Sequence, residues 1–349
     1  MKKFYIDSII FAFLAAIFYG MGIPLSKLLL EKIEPTFLAS FLYLGAGFGV
    51  LILKLIFNLT CKRDNNNFEK VTKKDGFYIF GMIFLDIVAP VFLLLGLSKI
   101  PAQEVSLLNN FEIVTTSVAA LFFYKEVISL KMWIAILFTT LSSLILSTEG
   151  LFSFHFSLGA FYVLITYFYW EFENNFTRKL SSKDSEKMVI YKGLGSGTGA
   201  FMISLFLKES IPSVKYILLA MILGFLSYGL SINFYIKAQK NLGASKTGAY
   251  YSSAPFFGVV FSFFLFREPL KLSFWFASVL MLIGTYFMIT DTVGVQHTHR
   301  HEHSHIHTNK DNTNFIEHIH SHTHFHAHNL GDESLHDHKF KDDKKEMIL

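Results

Sequence analysis

The sequence predicts an all-α membrane protein whose ten transmembrane helices form two five-helix repeats of opposite orientation. Composition is the first observation, because the chain is 52% hydrophobic and only 17% charged, whereas soluble domains carry roughly 25% charged residues. The second observation is that apolar runs of about 20 residues, long enough to cross a bilayer, recur along the chain. The third is a short motif that occurs twice, at the end of one apolar run in each half.

Ten apolar runs are candidate transmembrane helices. The first run is too long for a secretory signal peptide, and Pro24 and Lys27 continue it without a small-residue cleavage site. Most connections between the runs are short, as expected for a compact helical bundle. The runs lie at about 8–29, 35–57, 76–98, 102–124, 130–149, 157–177, 188–207, 213–236, 244–266 and 272–290.

The repeated motif closes the fourth and the ninth of these runs. Residues 121–133 read LFFYKEVISLKMW, and residues 263–275 read FFLFREPLKLSFW. The glutamates of the two copies, and likewise their tryptophans, are 142 residues apart. A duplicated hydrophobic unit is typical of secondary transporters. We therefore expect one five-helix repeat over residues 1–149 and a second over residues 150–291.

Basic residues in the connections indicate how the chain crosses the membrane, because cytoplasmic loops retain lysine and arginine. With the N-terminus in the cytoplasm, the inner segments hold 17 lysines and arginines and the outer segments hold 7. Ten spans then place both termini in the cytoplasm. Each half has five spans, an odd number, so the two repeats should have inverted topologies. We expect a multi-pass protein of the cell (plasma) membrane.

Residues 292–349 form a polar tail that holds 14 of the 15 histidines. Such a composition cannot build a core, so we expect a disordered cytoplasmic tail. Neutral imidazoles bind zinc and nickel, and alternating histidines in a flexible chain let several rings reach one ion. The predicted metal ligands are His297, His299, His301, His303, His305, His307, His318, His320, His322, His324, His326 and His328.

A role of the tail in transport is a separate question, because it could buffer, sense or sequester metal, or contribute little. A path for soft divalent metals should offer histidine or cysteine within the membrane. The only other histidine, His155, lies in a predicted outer loop, and the single cysteine, Cys61, lies in a polar connection. These positions argue against metal as the main cargo, and no cofactor is expected to be required.

Several motifs resemble those of a known transporter family. They are YGMGIPLSKLLLEKIEP (19–35), PVFLLLGLSKIPAQEVSLLNNFE (90–112) and YGLSINFYIKAQKNLGASKTGAYYSSAPF (228–256). The chain, over about residues 8–290, resembles the drug/metabolite transporter superfamily and, within it, the EamA-type ten-helix permeases. The resemblance implies two inverted five-helix repeats around a central cavity, and export of amino acids, other metabolites or drugs. Asp86 and Glu171 depart from the family's pattern.

Glu112 is the leading candidate for a substrate-binding or proton-binding residue. It lies inside an apolar run beside Asn109, and a charge at the bilayer centre costs at least about 2.5–3.5 kcal/mol. It should therefore face the bundle interior, where a buried structural carboxyl is the alternative. Lys27, at the end of the first run, could reach the outer interface, counter the charge of Glu112 or bind an anionic substrate.

Four further residues are candidate contacts of the substrate. Glu173 and Asn174 belong to the sequence WEFENNFTRK at the end of the sixth run, where they could form an inner gate or only anchor the helix at the interface. Tyr228 and Tyr250 lie in the corresponding helices of the second half. Their hydroxyl groups could line the cavity, with aromatic packing as the alternative.

These observations predict a secondary active transporter that exports a small metabolite, such as an amino acid or a drug-like solute, by alternating access. The alternative is a divalent metal-ion transporter for zinc, nickel or cobalt, or a metal-sensing membrane protein that uses the tail. No nucleotide-binding domain and no nucleophile–base pair is recognisable, so neither a pump nor an enzyme is expected. The expected partners are a small-molecule substrate and the lipid bilayer, not nucleic acid. Divalent metal ions and a second copy in a homodimer are open alternatives.

Overall fold

The computed structural model describes residues 2–60, 71–124, 128–147, 157–180, 183–267, 269–293, 296–308 and 315–327. The chain divides into two units, Met1–Ile289 and Thr290–Leu349. Part of the repeated motif, Lys125, Glu126 and Glu268, lies outside the described residues, as do Cys61, His155 and His328.

The first unit is built from helices. They are α1 (Lys2–Leu29), α2 (Pro35–Thr60), α3 (Gly76–Lys99), α4 (Ala102–Leu108), α5 (Glu112–Tyr124), α6 (Leu130–Ser147), α7 (Leu158–Lys179), α8 (Ser185–Phe206), α9 (Val214–Gly224), α10 (Ser231–Tyr251), α11 (Ala254–Phe266) and α12 (Leu272–Val293). Short 3₁₀ turns occupy Lys73–Asp75 and Asn109–Phe111, and a π-helical turn occupies Phe225–Leu230. The helical fold of a membrane protein is therefore confirmed, whereas the inverted relation of the two repeats stays a prediction.

Seven described helical stretches are long and apolar enough to cross a membrane. They are Ile6–Leu29, Pro35–Ile56, Lys73–Lys99, Leu130–Ser147, Val214–Gln239, Thr247–Phe266 and Leu272–Asp291. The other three predicted spans are also largely helical, and they contain Glu112, Glu173 and Lys192. Ionisable residues inside membrane segments are costly and usually functional. Three charged residues of the site described below, Glu112, Glu173 and Lys192, thus lie in the spans outside these seven, whereas Asp86 lies within Lys73–Lys99.

The fourth predicted helix, residues 102–124, is not continuous. A 3₁₀ turn over Asn109–Phe111 separates α4 from α5, which begins at Glu112. In the second half α10 ends at Tyr251 and α11 begins at Ala254, which is 142 residues after Glu112 (254 − 112). Proline in the first turn of α11 suits a helix start, and asparagine side chains compete for backbone hydrogen bonds at the first break. Both halves therefore interrupt the corresponding helix at the same offset.

The connection expected over residues 237–243 is also different, because the backbone there is helical and belongs to α10. The segment contains no proline, and its alanine, glutamine, lysine and leucine residues are good helix formers. Their intrinsic preference for helix accounts for the difference from the hydropathy pattern, which only indicates where apolar runs stop.

Glycines of α8 allow it to lie close to two other helices. A Cβ atom added at Gly193 would lie 2.6 Å from the Cα atom of Gly47 in α2, and one at Gly197 would lie 2.7 Å from the backbone nitrogen of Leu44. The alternate glycines, Gly195 and Gly199, approach side chains of α3 instead. This close packing agrees with the small-xxx-small pattern of the sequence. α8 is thereby held between α2 and α3.

The second unit contains an antiparallel pair of strands, β1 (Gln296–Thr308) and β2 (Phe315–Ala327). Histidine at every second position has the period of a β-strand. The disorder of the tail over residues 292–349 stays a prediction. Along the register the Cα atom of His297 is opposite that of His326, and that of His305 is opposite that of His318.

Candidate functional site

A buried group of three charges joins α3, α7 and α8. The ammonium group of Lys192 lies 3.0 Å from Oδ2 of Asp86 and 3.0 Å from Oε2 of Glu173. Both acidic residues are only 1% exposed, and the lysine side chain is 26% exposed. Charges so far from water persist only when they are paired. We call Asp86, Glu173 and Lys192 the charged triad.

Neighbouring side chains satisfy the remaining oxygens of the charged triad. The hydroxyl group of Tyr43, on α2, donates a hydrogen bond of 3.2 Å to Oδ1 of Asp86. The hydroxyl group of Thr177 donates to Oε1 of Glu173 within α7. Lys192 directly precedes Gly193 on α8. The close contact of Gly193 with Gly47 of α2 brings this turn of α8 into the bundle and so positions the lysine. Four helices therefore meet at the triad.

Glu112 is the first residue of α5, and it is exposed. Its neighbours indicate whether the side chain faces the lipid or the interior of the bundle. The charges that act on its carboxyl group are those of Glu171, Lys192 and Glu173, on α7 and α8. It also interacts electrostatically with tyrosine hydroxyl groups on α1 and α10, including those of Tyr19 and Tyr251. A carboxyl group surrounded by four other helices faces the space between them and not the lipid.

Glu171 links α5 to α7. Its Oε2 accepts a hydrogen bond of 2.9 Å from the hydroxyl group of Thr116 on α5. The amide of Asn175 donates to the backbone oxygen of Glu171 at 2.8 Å and to Oε1 at 3.3 Å. Glu171 and Asn175 are thus neighbours at i and i+4 on α7. The side chain of Arg178, on the same helix, lies outside the described residues.

Five half-buried tyrosines form a connected row across α1, α2, the π-helical turn and α10. Ring centroids are 6.0 Å apart for Tyr43 and Tyr228, 6.1 Å for Tyr228 and Tyr19, 5.5 Å for Tyr19 and Tyr251, and 5.1 Å for Tyr251 and Tyr235. These separations are typical of favourable aromatic pairs. We call these five residues the tyrosine cluster. Because Tyr43 also contacts Asp86, the cluster is continuous with the charged triad.

Tyr228 lies between Tyr43 and Tyr19 in the tyrosine cluster and belongs to the π-helical turn. Such turns are rare and are often found at functional sites. Ser227, the residue before it, is fully buried. Its hydroxyl oxygen has no hydrogen-bond partner among the described residues. Both side chains face Gly22 of α1, since a Cβ atom at that glycine would lie 3.4 Å from the Ser227 hydroxyl and 3.8 Å from the Tyr228 hydroxyl.

The other predicted site residues are placed in different surroundings. Asn109 is buried and accepts a hydrogen bond of 2.6 Å from the Tyr167 hydroxyl. Lys27 donates to the carbonyl oxygens of Leu97 and Ile100, at 2.5 Å and 3.0 Å. It thus occupies the C-terminus of α3, where a cation is favourable.

Asn174 and Tyr250 lie apart from the tyrosine cluster. Asn174 is exposed. The ring of Tyr250 packs against Phe13, with centroids 5.3 Å apart, and beside the small apolar group of Ala12, Ala238 and Leu242. Of the predicted residues, Glu112 and Glu173 thus belong to one electrostatic group, to which Asn174 is joined by a hydrogen bond with Glu171. Tyr228 belongs to the adjoining tyrosine cluster.

Lys192 was missed by the sequence reasoning, and Asp86 was noticed only as a departure from a family pattern. The sequence nevertheless contains a signal for both residues. Each is an isolated charge inside a predicted apolar span, which is the same argument that selects Glu112. Their pairing was not predictable, because the two residues belong to different helices.

A separate group of ion pairs lies at the N-terminus of α8. Lys54 of α2 is 2.5 Å from Asp184 and 3.7 Å from Glu186, and Lys183 is 3.3 Å from Asp75. Asp184 also caps α8 by accepting from two backbone N–H groups. Burial alone would raise the pKa of Asp184, but the ion pair with Lys54 and these hydrogen bonds hold its pKa below the ordinary value. These contacts join α2 and α3 to the start of α8.

Comparisons with known proteins agree with this architecture. The sequence model described as the EamA-like transporter family matches residues 7–148 and again residues 157–290. A protein of Methanothermobacter thermautotrophicus (strain Delta H), described as an uncharacterized transporter, is 25% identical over 291 residues, which cover 78% of this chain and 83% of that protein. A solved structure described only as the crystal structure of a protein superposes with a TM-score of 0.58 at 14% identity, over 80% of this chain and 94% of that one. At this identity the likeness shows a shared fold.

Proposed function

The chain belongs to the EamA-like transporter family, and from that premise we propose that it is a secondary active transporter that exports a small metabolite by alternating access. It is a multi-pass membrane protein and a transporter, as the family and the apolar helices indicate. We place it in the cell membrane with both termini in the cytoplasm, and we propose transport as its activity in place of catalysis.

The observation that carries the proposal is the set of ionisable groups inside the helical bundle. Glu112 and the charged triad lie within segments predicted to cross the membrane. Carboxylates and lysines at such positions usually mark substrate or proton pathways. Their desolvation is offset only by mutual pairing or by a bound ligand. A purely structural bundle would be more stable with apolar residues at these positions.

The charged triad also suggests how binding and conformational change are coupled. Lys192 can contact both acidic residues only while α3, α7 and α8 keep their present arrangement. Glu112 belongs to the same electrostatic group but has no ion pair of its own among the described residues. We propose that Glu112 takes up the proton or the charged group of the substrate, and that the triad changes its pairing when the helices move.

The test is the substitution Glu112→Gln, which keeps the shape of the side chain but removes its ionisation. We expect the variant to insert and fold normally and to lose proton-coupled transport by at least about tenfold, because it can no longer take up or release a proton. The measurement is solute-driven proton movement in proteoliposomes that contain a pH-sensitive dye. Glu31→Gln, at an exposed position after α1, is the control. Unchanged coupled flux in Glu112→Gln would refute its proposed role.

We further propose that the histidine-rich tail binds zinc or nickel. The antiparallel register places five histidines of β1 opposite five of β2, from His297 with His326 to His305 with His318. Residues directly opposite in adjacent strands are about 5 Å apart, so one pair would supply two ligands of an ion. Among the described residues no group of three potential ligands is formed, so further histidines would have to move toward the ion.

The full-length protein should therefore bind zinc in excess of a chain that ends at residue 291, as measured by calorimetry at neutral pH. Equal zinc binding by the two chains would contradict the metal-binding role. The same pair of proteins tests the alternative of a metal-ion transporter. Zinc flux that is lost with the tail would favour that alternative, whereas flux of an organic solute that survives removal of the tail favours metabolite transport.

A further inference from the structure

The electrostatic group around Glu112 is unbalanced. Among the side chains that the structure describes, those of Asp86 and Glu173 contact the ammonium group of Lys192, and those of Glu112 and Glu171 belong to the same electrostatic group. If all five were ionised, these described groups would carry three more negative than positive charges. Buried unpaired charge is strongly unfavourable, so the space between these helices favours a ligand that carries a positive charge.

The wall next to these carboxyl groups is aromatic. The tyrosine cluster is half-buried and adjoins the charged triad through the hydrogen bond from Tyr43 to Asp86, and the hydroxyl groups of Tyr19, Tyr235 and Tyr251 interact electrostatically with Glu112. Aromatic faces attract cations within about 6 Å of the ring centroid. The structure shows such a contact elsewhere between α1 and α10. There the ammonium group of Lys237 lies 5.8 Å and 5.7 Å from the ring centroids of Phe11 and Phe234.

The Ser227 hydroxyl supplies an independent polar contact. It is fully buried, lacks a hydrogen-bond partner among the described residues and lies on the same side of Gly22 as the Tyr228 hydroxyl. A buried hydroxyl group without a partner is costly, and a guest with N–H groups would satisfy it. A bare metal ion fits less well, because in the described part of the chain no three acidic, histidine or cysteine side chains form a metal-binding group.

We propose that the substrate of this site is an amine, an organic cation whose ammonium group lies between Glu112 and the tyrosine cluster and whose apolar part packs on the tyrosine rings. This inference rests on the proposed transport function and names its substrate class. The carboxyl groups supply the charge, the rings supply cation–π contacts, and Ser227 accepts a hydrogen bond from an ammonium N–H group.

The experiment compares three small compounds of similar shape and different charge with the purified full-length protein. The probes are 2-phenylethylamine as the cation, 2-phenylethanol as the neutral analogue and phenylacetate as the anion, and binding is measured by calorimetry and thermal stabilisation. We expect the amine to bind at least about tenfold more tightly than either analogue, since it alone gains both a charge-assisted hydrogen bond and cation–π contacts. Tetraethylammonium and a linear alkylamine extend the cation set.

Variants test the assigned contacts. Glu112→Gln should weaken amine binding by about tenfold or more. Tyr228→Leu should weaken it by about 3-fold to 30-fold and by more than Tyr228→Phe, which keeps an aromatic face. Tyr286→Leu, at an exposed position on α12, is the control for loss of a tyrosine outside the site.

The outcomes separate this inference from the proposed function. Failure of all the cations to bind, tighter binding of phenylacetate or phenylethanol, or unchanged affinity in Glu112→Gln would overturn the amine assignment. Transport of a neutral or anionic solute in proteoliposomes would then leave the transporter proposal intact. Conversely, amine binding that depends on Glu112 without flux of any tested solute would support the site and contradict secondary transport.

Discussion

Replacing Lys192 with methionine is expected to destabilise the folded protein by about 3–5 kcal/mol. Among the described residues, the substitution removes the one ammonium group in contact with both Asp86 and Glu173, and these carboxylates are almost completely buried. Loss of one partner from a buried ion pair has this cost because it leaves uncompensated charge in a medium of low polarity. The measurement is the thermal or denaturant-induced unfolding of the purified protein, and we also expect transport to be lost.

Two comparison variants make this result specific to charge. Lys187→Met removes a lysine from an exposed position on the same helix and should leave stability within about 0.5 kcal/mol of the parent. The triple variant with Lys192→Met, Asp86→Asn and Glu173→Gln has no net charge at the triad. It should recover most of the stability without recovering transport. Equal stability of Lys192→Met and the parent protein would show that the triad is not an energetically coupled group.

Replacing Gly224 with alanine is expected to destabilise the protein by about 3 kcal/mol, the upper end of the usual cost of overpacking. A Cβ atom at Gly224 would lie 1.9 Å from the carbonyl oxygen of Leu42. At the same crossing of α2 and α9, one at Gly45 would lie 2.1 Å from the carbonyl oxygen of Met221. The obstacle is backbone in both cases, so no side-chain rotation relieves the overlap and the helices must separate.

Gly76→Ala is the matched control for Gly224→Ala. Gly76, the first residue of α3, has no atom within 4 Å of the position of an added Cβ. Its backbone is in the right-handed helical region, where alanine is preferred to glycine by up to about 1 kcal/mol. The control should therefore be neutral or slightly stabilising. Yield of monodisperse protein and unfolding temperature distinguish the variants, and equal values for Gly224→Ala and Gly76→Ala would contradict the close contact.

The sequence is a good guide to features that depend on local composition. Apolar runs locate the helices because a bilayer needs about 20 apolar residues for each crossing, and the spacing of Gly193 and Gly197 indicates a close helix contact. The isolated charge of Glu112 indicates an inward-facing carboxyl group. Each of these inferences needs only neighbouring residues and one physical rule.

Features that depend on pairing between distant segments were not predictable. The contacts of Lys192 with Asp86 and Glu173 join three helices, and hydropathy has no information on which helices are neighbours. The same is true of the tyrosine cluster, whose members come from both halves of the chain. The 3₁₀ turn before Glu112 was missed for a different reason, because a break without proline leaves an apolar run unchanged in composition.

The glycine contacts of α2 have a consequence for how the two repeats can move. α2 belongs to the first repeat, yet its backbone lies directly against that of α8 at Gly47 and Gly193 and that of α9 at Gly45 and Gly224. With no side chains in between, these helices cannot part gradually, because any gap exposes bare backbone to lipid or opens a void. We therefore expect these helix contacts to stay closed and to act as a pivot about which the other helices move. The opening and closing motions would then be largest at the helices farthest from it.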